Sequence, residues 1–224
     1  MRSLALPRPA PAVEPLWLEW LALAGMFAFA GWLLGVRGVW QLLLHADPTG
    51  ITFVIIVIFT AATVWSGMRA RELGRQHQAM QEAVGRGEAR SADGEAWVPQ
   101  YWRDLATAPR DAAAPLDLLV ERTHGPHGTA WWVNGIQLKL GLLGKVIGFS
   151  VLALEIGNIQ NFDPAQSQQL LRSLTTGLGV ALLTTMVGLV GNILLGLQLT
   201  RLDRFADELV AQAQRHGLQL RAGA

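Results

Sequence analysis

The 224-residue chain has no cysteine, which excludes disulfide frameworks, thiolate metal sites and cysteine nucleophiles. It is poor in charge: Asp, Glu, Lys and Arg make up 16% of its residues, against about 25% in an ordinary soluble domain. Nor is charge of one sign in excess. Eighteen Lys and Arg against 17 Asp and Glu leave a formal net charge of +1. That balance provides no basic surface for nucleic acid, whose binding depends on neutralising phosphates, and no acidic disordered tail. Catalytic motifs are missing as well. There is no phosphate loop, no G-x-S-x-G, no H-E-x-x-H and no pair of carboxylates at helical spacing inside an apolar run. Neither an enzyme nor a cofactor is expected. No internal repeat occurs, and the only low-complexity tract is the Pro/Ala leader LPRPAPAVEP.

What is present is apolar length. Hydrophobic residues make up 51% of the chain and mean hydropathy is +0.29. A helix needs roughly 20 mostly apolar residues to cross a bilayer core, and the sequence holds four such runs. Residues 20–36 lie between Glu19 and Arg37, residues 48–68 between Asp47 and Arg69, and residues 173–200 between Arg172 and Arg201. The remaining run, about 140–159, is interrupted by Lys145 and Glu155. Ala28-Phe29-Ala30 resembles the end of a signal peptide, but the preceding leader is long and proline-rich and the apolar run continues through Trp32-Leu33-Leu34. The expectation is an all-α, polytopic membrane protein with four transmembrane helices. Its parts are a leader (1–15), two spans (16–68), a helical loop (69–138), a second pair of spans (139–200) and a C-terminal helix (201–224).

Basic residues set the orientation. Fifteen of the 18 lie in the N-terminal tail, the loop 69–139 and the C-terminal tail; only Arg37 and Arg172 lie in the other connections, and Lys145 lies in a span. Both termini and the long loop are therefore expected in the cytoplasm, with Trp17, Trp20, Trp65, Trp131 and Trp132 near the inner face and Trp40 near the outer. Segment 69–139 carries nine charges of each sign, as a soluble surface does. Its first part favours helix, so the second span is expected to continue out of the membrane, with breaks at Gly85-Arg86-Gly87 and around Pro109 to Pro115. Leu202, Phe205, Leu209 and Ala213 recur at helical spacing after the fourth span. His124-Gly125-Pro126-His127 reads as a solvated Gly/Pro turn with no acidic companions to complete a metal site.

The last two spans carry the informative chemistry. Without a hydrophobic drive between helices in lipid, close association depends on small residues and polar bonds. Gly141, Gly144 and Gly148 form one stripe of the third span, and Glu155 returns to within about 20° of it. Gly177, Ala181, Thr184 and Thr185, Gly188, and Gly191 and Asn192 form a second stripe on the fourth. Ionisable groups inside a span are functional candidates by default. Lys145 and Glu155 stand about 15 Å apart along the axis and about 80° apart around it, too far to pair within one helix.

The segments GLLGKVIGF and GLGVALLTTMVGLVGNIL, about 35 residues apart and followed by a polar helix, resemble the MotA/TolQ/ExbB proton-channel family. The likeness covers roughly residues 130–215. The family's A-L-x-x-T-x-x-G-L falls on Ala181, Leu182, Thr185, Gly188 and Leu189, so Thr185 takes the place of the pore threonine. Its G-L-L-G-T-V-x-G falls on Gly141, Leu142, Leu143, Gly144, Val146 and Gly148, with Lys145 where threonine is usual. Two spans before the long loop look like the MotA layout.

The resemblance implies a bacterial inner-membrane motor. A homo-oligomeric ring, a pentamer in the family, would surround two copies of a single-span partner whose aspartate is protonated and released as ions cross. Thr185, Thr184, Lys145, Thr176 and Asn192 are then the candidates for the ion path or the partner contact. A non-conducting membrane scaffold with the same fold, its pore blocked by Lys145, is the alternative.

Overall fold

The computed structural model describes residues 16–47, 49–86, 96–107, 113–157 and 164–222, and these residues contain helices and no strand. In chain order the helices are α1 (Leu16–Val36), α2 (Val39–Ala46), α3 (Ile51–Arg86), α4 (Trp97–Thr107), α5 (Ala113–Gly157) and α6 (Pro164–Ala222). Four of them, α1, α3, α5 and α6, are long and apolar enough to cross a membrane, the mark of a multi-pass membrane protein. The leader 1–15 lies outside the described residues.

α2 was not foreseen from the sequence. Gly38, at φ 72°, reverses the chain after α1, so that Trp40 folds back and donates its indole N–H to the Gly31 carbonyl at 2.9 Å. Asp47 then starts α3. It accepts from the backbone N–H groups of Thr49 (3.0 Å) and Thr52 (2.7 Å) and from the Thr49 hydroxyl, the Thr52 N–H being one of the donors that a helix N-terminus leaves free. Burial works against the charge on Asp47, but these hydrogen bonds outweigh it and hold the carboxyl below the usual carboxylate range.

α3 runs unbroken out of the apolar segment for 36 residues and ends at Arg86. α5 has 45 residues and α6 has 59, about 68 Å and 88 Å at 1.5 Å per residue, well over the roughly 30 Å of a hydrocarbon core. The two form the largest interface in the molecule; α3 lies along both, α1 packs on α3, and α4 sits across α3, α5 and α6.

One buried stripe runs along α6 from Gly177 through Ala181, Thr184, Gly188, Gly191, Leu195, Gln198, Leu202 and Phe205 to Leu209. Steps of four and three alternate, giving the 3.5-residue period of a left-handed helix pair. The residue type changes along it. Up to Gly191 the positions are small, as close packing in lipid requires; from Leu195 onward they are mostly large. In that second half, Leu73 and Met80 of α3, Val98, Tyr101 and Trp102 of α4, and Leu202, Phe205 and Leu209 of α6 make a conventional hydrophobic core. The Trp102 indole donates to the Ala213 carbonyl at 2.8 Å, and the Gln76 side chain accepts from the first N–H of α4 at 2.9 Å.

Candidate functional site

α5 and α6 run antiparallel, and their small-residue stripes meet. A methyl added at Gly144 would stand 2.5 Å from the Thr184 hydroxyl oxygen; one at Gly148 would stand 2.8 Å from the Gly177 carbonyl, and one at Gly188 would stand 2.7 Å from the Gln137 carbonyl. Gly141 lies against Thr184, Thr185 and Gly188, while Gly148 also meets Ala181. The two backbones touch over several turns, and only glycine leaves room for it.

The two neighbouring threonines differ. Thr184 is fully buried against Gly144 and donates its proton to the Val180 carbonyl at 2.8 Å. Thr185, half-buried, lies near two carbonyls: Ala181 of its own helix at 2.8 Å and Gly141 of α5 at 3.2 Å. One hydroxyl proton serves both, and the oxygen lone pairs remain as acceptors. Thr176 is exposed and bonds the Arg172 carbonyl of its own helix at 3.0 Å. Asn192 crosses to α5, donating to the Asn134 carbonyl at 2.9 Å. Lys145 is exposed beside Gly144, on the outward apolar surface that includes Leu142, Leu143, Val146 and Phe149. The Glu155 side chain lies outside the described residues.

Below Thr185 is a layer of amides that sequence reading missed. Gln137 is wholly buried, with its Oε1 against Gly191 and neither polar atom paired; Asn134 Oδ1 is also unpaired. The signal was available. Asn134 and Gln137 continue the Gly141, Gly144, Gly148 stripe upstream in steps of three and four.

The His124–His127 segment corrects the expected turn. It lies inside α5, with Pro126 within the helix, and its acidic companions come from α6. His127 Nδ1 is 2.6 Å from Asp203 Oδ1, and His124 Nε2 is 3.0 Å from Asp207 Oδ1. The Trp131 indole occupies the other Asp203 oxygen at 2.8 Å. Each histidine therefore meets its own carboxylate, and among the described residues no group of three metal-ligating side chains occurs.

Helix survives Pro126 because Arg69 compensates for it. Proline has no N–H for the carbonyl four residues earlier, that of Arg122. Arg69 of α3 donates one Nη2 to that carbonyl at 2.5 Å and to the Thr123 carbonyl at 2.9 Å. Its Nε–H points at His127 Nε2 at 3.4 Å, and its guanidinium stacks 5.2 Å from the Trp97 ring centre. Because arginine can only donate, Nε2 is the imidazole's acceptor, and the ring proton sits on Nδ1 facing Asp203.

The fold and site together describe a polytopic helical membrane protein whose longest helices are joined by a small-residue, hydroxyl-bearing seam. Comparison with protein families, with curated proteins and with solved structures finds no match.

Proposed function

We propose that this chain is the ring-forming subunit of an inner-membrane ion channel, with protons as the ion, that turns ion motive force into mechanical work through a single-span partner bearing an aspartate. The observation that carries the reading is the meeting of Gly141 and Thr185. Gly141 and Thr185, one in each of the two segments that resemble the MotA/TolQ/ExbB family, are 44 residues apart in sequence, yet the Thr185 hydroxyl reaches the Gly141 carbonyl at 3.2 Å. Both termini and the loop 69–139 are assigned to the cytoplasm by the distribution of basic residues.

In this reading no group of the chain titrates during transport. The partner's carboxylate is neutral when it faces apolar side chains and charged when it meets water or a polar contact. Thr185, half-buried and with free lone pairs, offers that contact. Thr184 and the glycines hold α5 against α6, and Asn192 ties the next turn to α5. Thr176, exposed on α6, and Lys145, exposed on α5, are left for neighbouring chains. One charge crossing 100 mV releases about 2.3 kcal/mol, so a few steps supply enough free energy to turn a ring against its partner.

Purification from native membranes in a mild detergent, followed by mass measurement of the intact complex, tests the assembly. Five copies of this chain with two of a single-span protein are expected. A complex without any single-span subunit would favour the scaffold reading.

A further inference from the structure

His127 is 3% exposed, yet ionisable groups of three helices meet at its ring. Asp203 of α6 lies 2.6 Å from Nδ1, and Arg69 of α3 points its Nε–H at Nε2 from 3.4 Å. From α5 itself, His124 stands one turn back with 5.8 Å between ring centres. Trp65 of α3 meets the imidazole edge-on and carries no charge. Behind this shell, His124 pairs with Asp207, the Trp131 indole holds the second Asp203 oxygen, and Glu72 acts on Arg69. The cluster lies where two apolar runs end: Arg69 directly follows the second, and Asp203 stands three residues past the last.

This arrangement suits the neutral ring alone. With its proton on Nδ1, the imidazole accepts at Nε2 from Arg69, whose Nη2 meanwhile serves the Arg122 and Thr123 carbonyls. A second proton, placed on Nε2, turns that acceptor into a donor. Two N–H groups then face each other, and the guanidinium cannot give up its charge. Asp203 favours the added charge but sits at the other ring nitrogen, so it leaves the clash in place. Burial, reinforced by Arg69 and His124, outweighs Asp203 and holds His127 below the usual histidine range. Withdrawal of Arg69 relieves the clash. It also takes from α5 the donor that stands in for the N–H missing at Pro126. The Asp203 side chain is 31% exposed, which opens the cluster to protons from solvent.

We infer that His127, Arg69 and Asp203 form a proton-operated latch between α3 and α5. In the neutral state Arg69 is seated on His127 and on the α5 carbonyls; protonation of His127 ejects Arg69 and lets the two helices part beside Pro126. The latch does not depend on the motor reading: His127 takes no part in transport and sets whether α3 holds α5. Its sign is definite. The latched ring binds a proton more weakly than a ring that reaches water, so acid favours the unlatched form. Between the ordinary histidine value of about 6.5 and the lower latched value, the ratio of unlatched to latched molecules should rise about tenfold per unit fall in pH.

The test is a spin-label distance between α3 and α5 in the full-length protein. The chain has no cysteine, so Gln78→Cys on α3 and Thr129→Cys on α5, both exposed positions, carry the labels without background. Double electron–electron resonance in detergent should show one distance at about pH 8 and a second, longer one that gains at the stated slope toward about pH 5. His127→Asn, which keeps a donor for Asp203 and does not titrate, should make the distance distribution independent of pH. If its melting curve shows that it does not fold, His127→Gln takes its place. His124→Gln should keep the transition, since the clash lies at His127. A distribution that does not respond to pH in the otherwise unaltered protein overturns the proposal. So does a transition that survives in the His127 variant or vanishes with His124→Gln.

Discussion

At the scale of single residues, the chain places polar groups where they do local work inside an apolar molecule. Asp47 illustrates this with a carboxylate that three donors hold at the start of α3. Its replacement by alanine should cost about 1 kcal/mol of stability, typical of a lost N-cap. The pH dependence has a definite sign. Because the folded carboxyl is held below the usual range, its contribution is complete above the unfolded value of about 3.9 and disappears as pH falls through the lower folded value. Thermal unfolding in detergent across that acidic range should therefore show a steeper loss of stability for the unaltered protein than for Asp47→Asn. Gly144 makes the opposite demand, for absence of atoms. Gly144→Ala puts a carbon 2.5 Å from the Thr184 hydroxyl oxygen, and the resulting strain should cost about 1–3 kcal/mol. The same change at Gly74, where nothing lies within 4 Å, should be neutral or stabilising in the same unfolding assay, since alanine is the better helix former.

At the scale of elements, α5 is the helix whose continuity needs outside help. Arg69 donates to the Arg122 carbonyl that Pro126 leaves without a partner, so the two residues should be energetically coupled. Arg69→Ala should destabilise by about 1–3 kcal/mol. In a Pro126→Ala background, where the helix satisfies that carbonyl itself, the loss should be smaller; strict additivity in a double-mutant cycle measured by chemical unfolding would rule the coupling out. The same helix shows what sequence could and could not reveal. The described residues of the four apolar runs lie almost wholly within α1, α3, α5 and α6 because uncharged length is a direct readout of the bilayer's thickness. The spacing of Leu202, Phe205, Leu209 and Ala213 marked a buried face because helical period is local. His124 and His127 were misread because Gly-Pro is a turn signal only when no neighbour repairs the helix, and Arg69 lies 53 residues before Arg122. Their partners Asp203 and Asp207 lie 76 and 83 residues away in sequence, and only the antiparallel pairing of α5 with α6 brings them near. Gln137 was legible, through its step of four from Gly141, once the stripe was extended beyond the apolar run.

At the scale of the whole molecule, one antiparallel helix pair carries two kinds of contact stripe. Where α6 is apolar outside, its contact stripe is made of Gly, Ala and Thr; where it is charged outside, the stripe turns to Leu and Phe. The change follows from the physics: in lipid, apolar bulk gains nothing by facing another helix, whereas in water it does. In the proposed motor one half would face an ion path and the other would anchor the ring against its load, and Thr185 is the residue on which the proposal turns. The most direct measurement is proton uptake into vesicles containing the chain with its single-span partner, under an imposed potential. Thr185→Val, which keeps the shape and removes the hydroxyl, should lower the flux at least tenfold, while Thr185→Ser should retain most of it. Equal flux in the valine variant and the unaltered protein, or no flux from a fully assembled complex, would contradict the account.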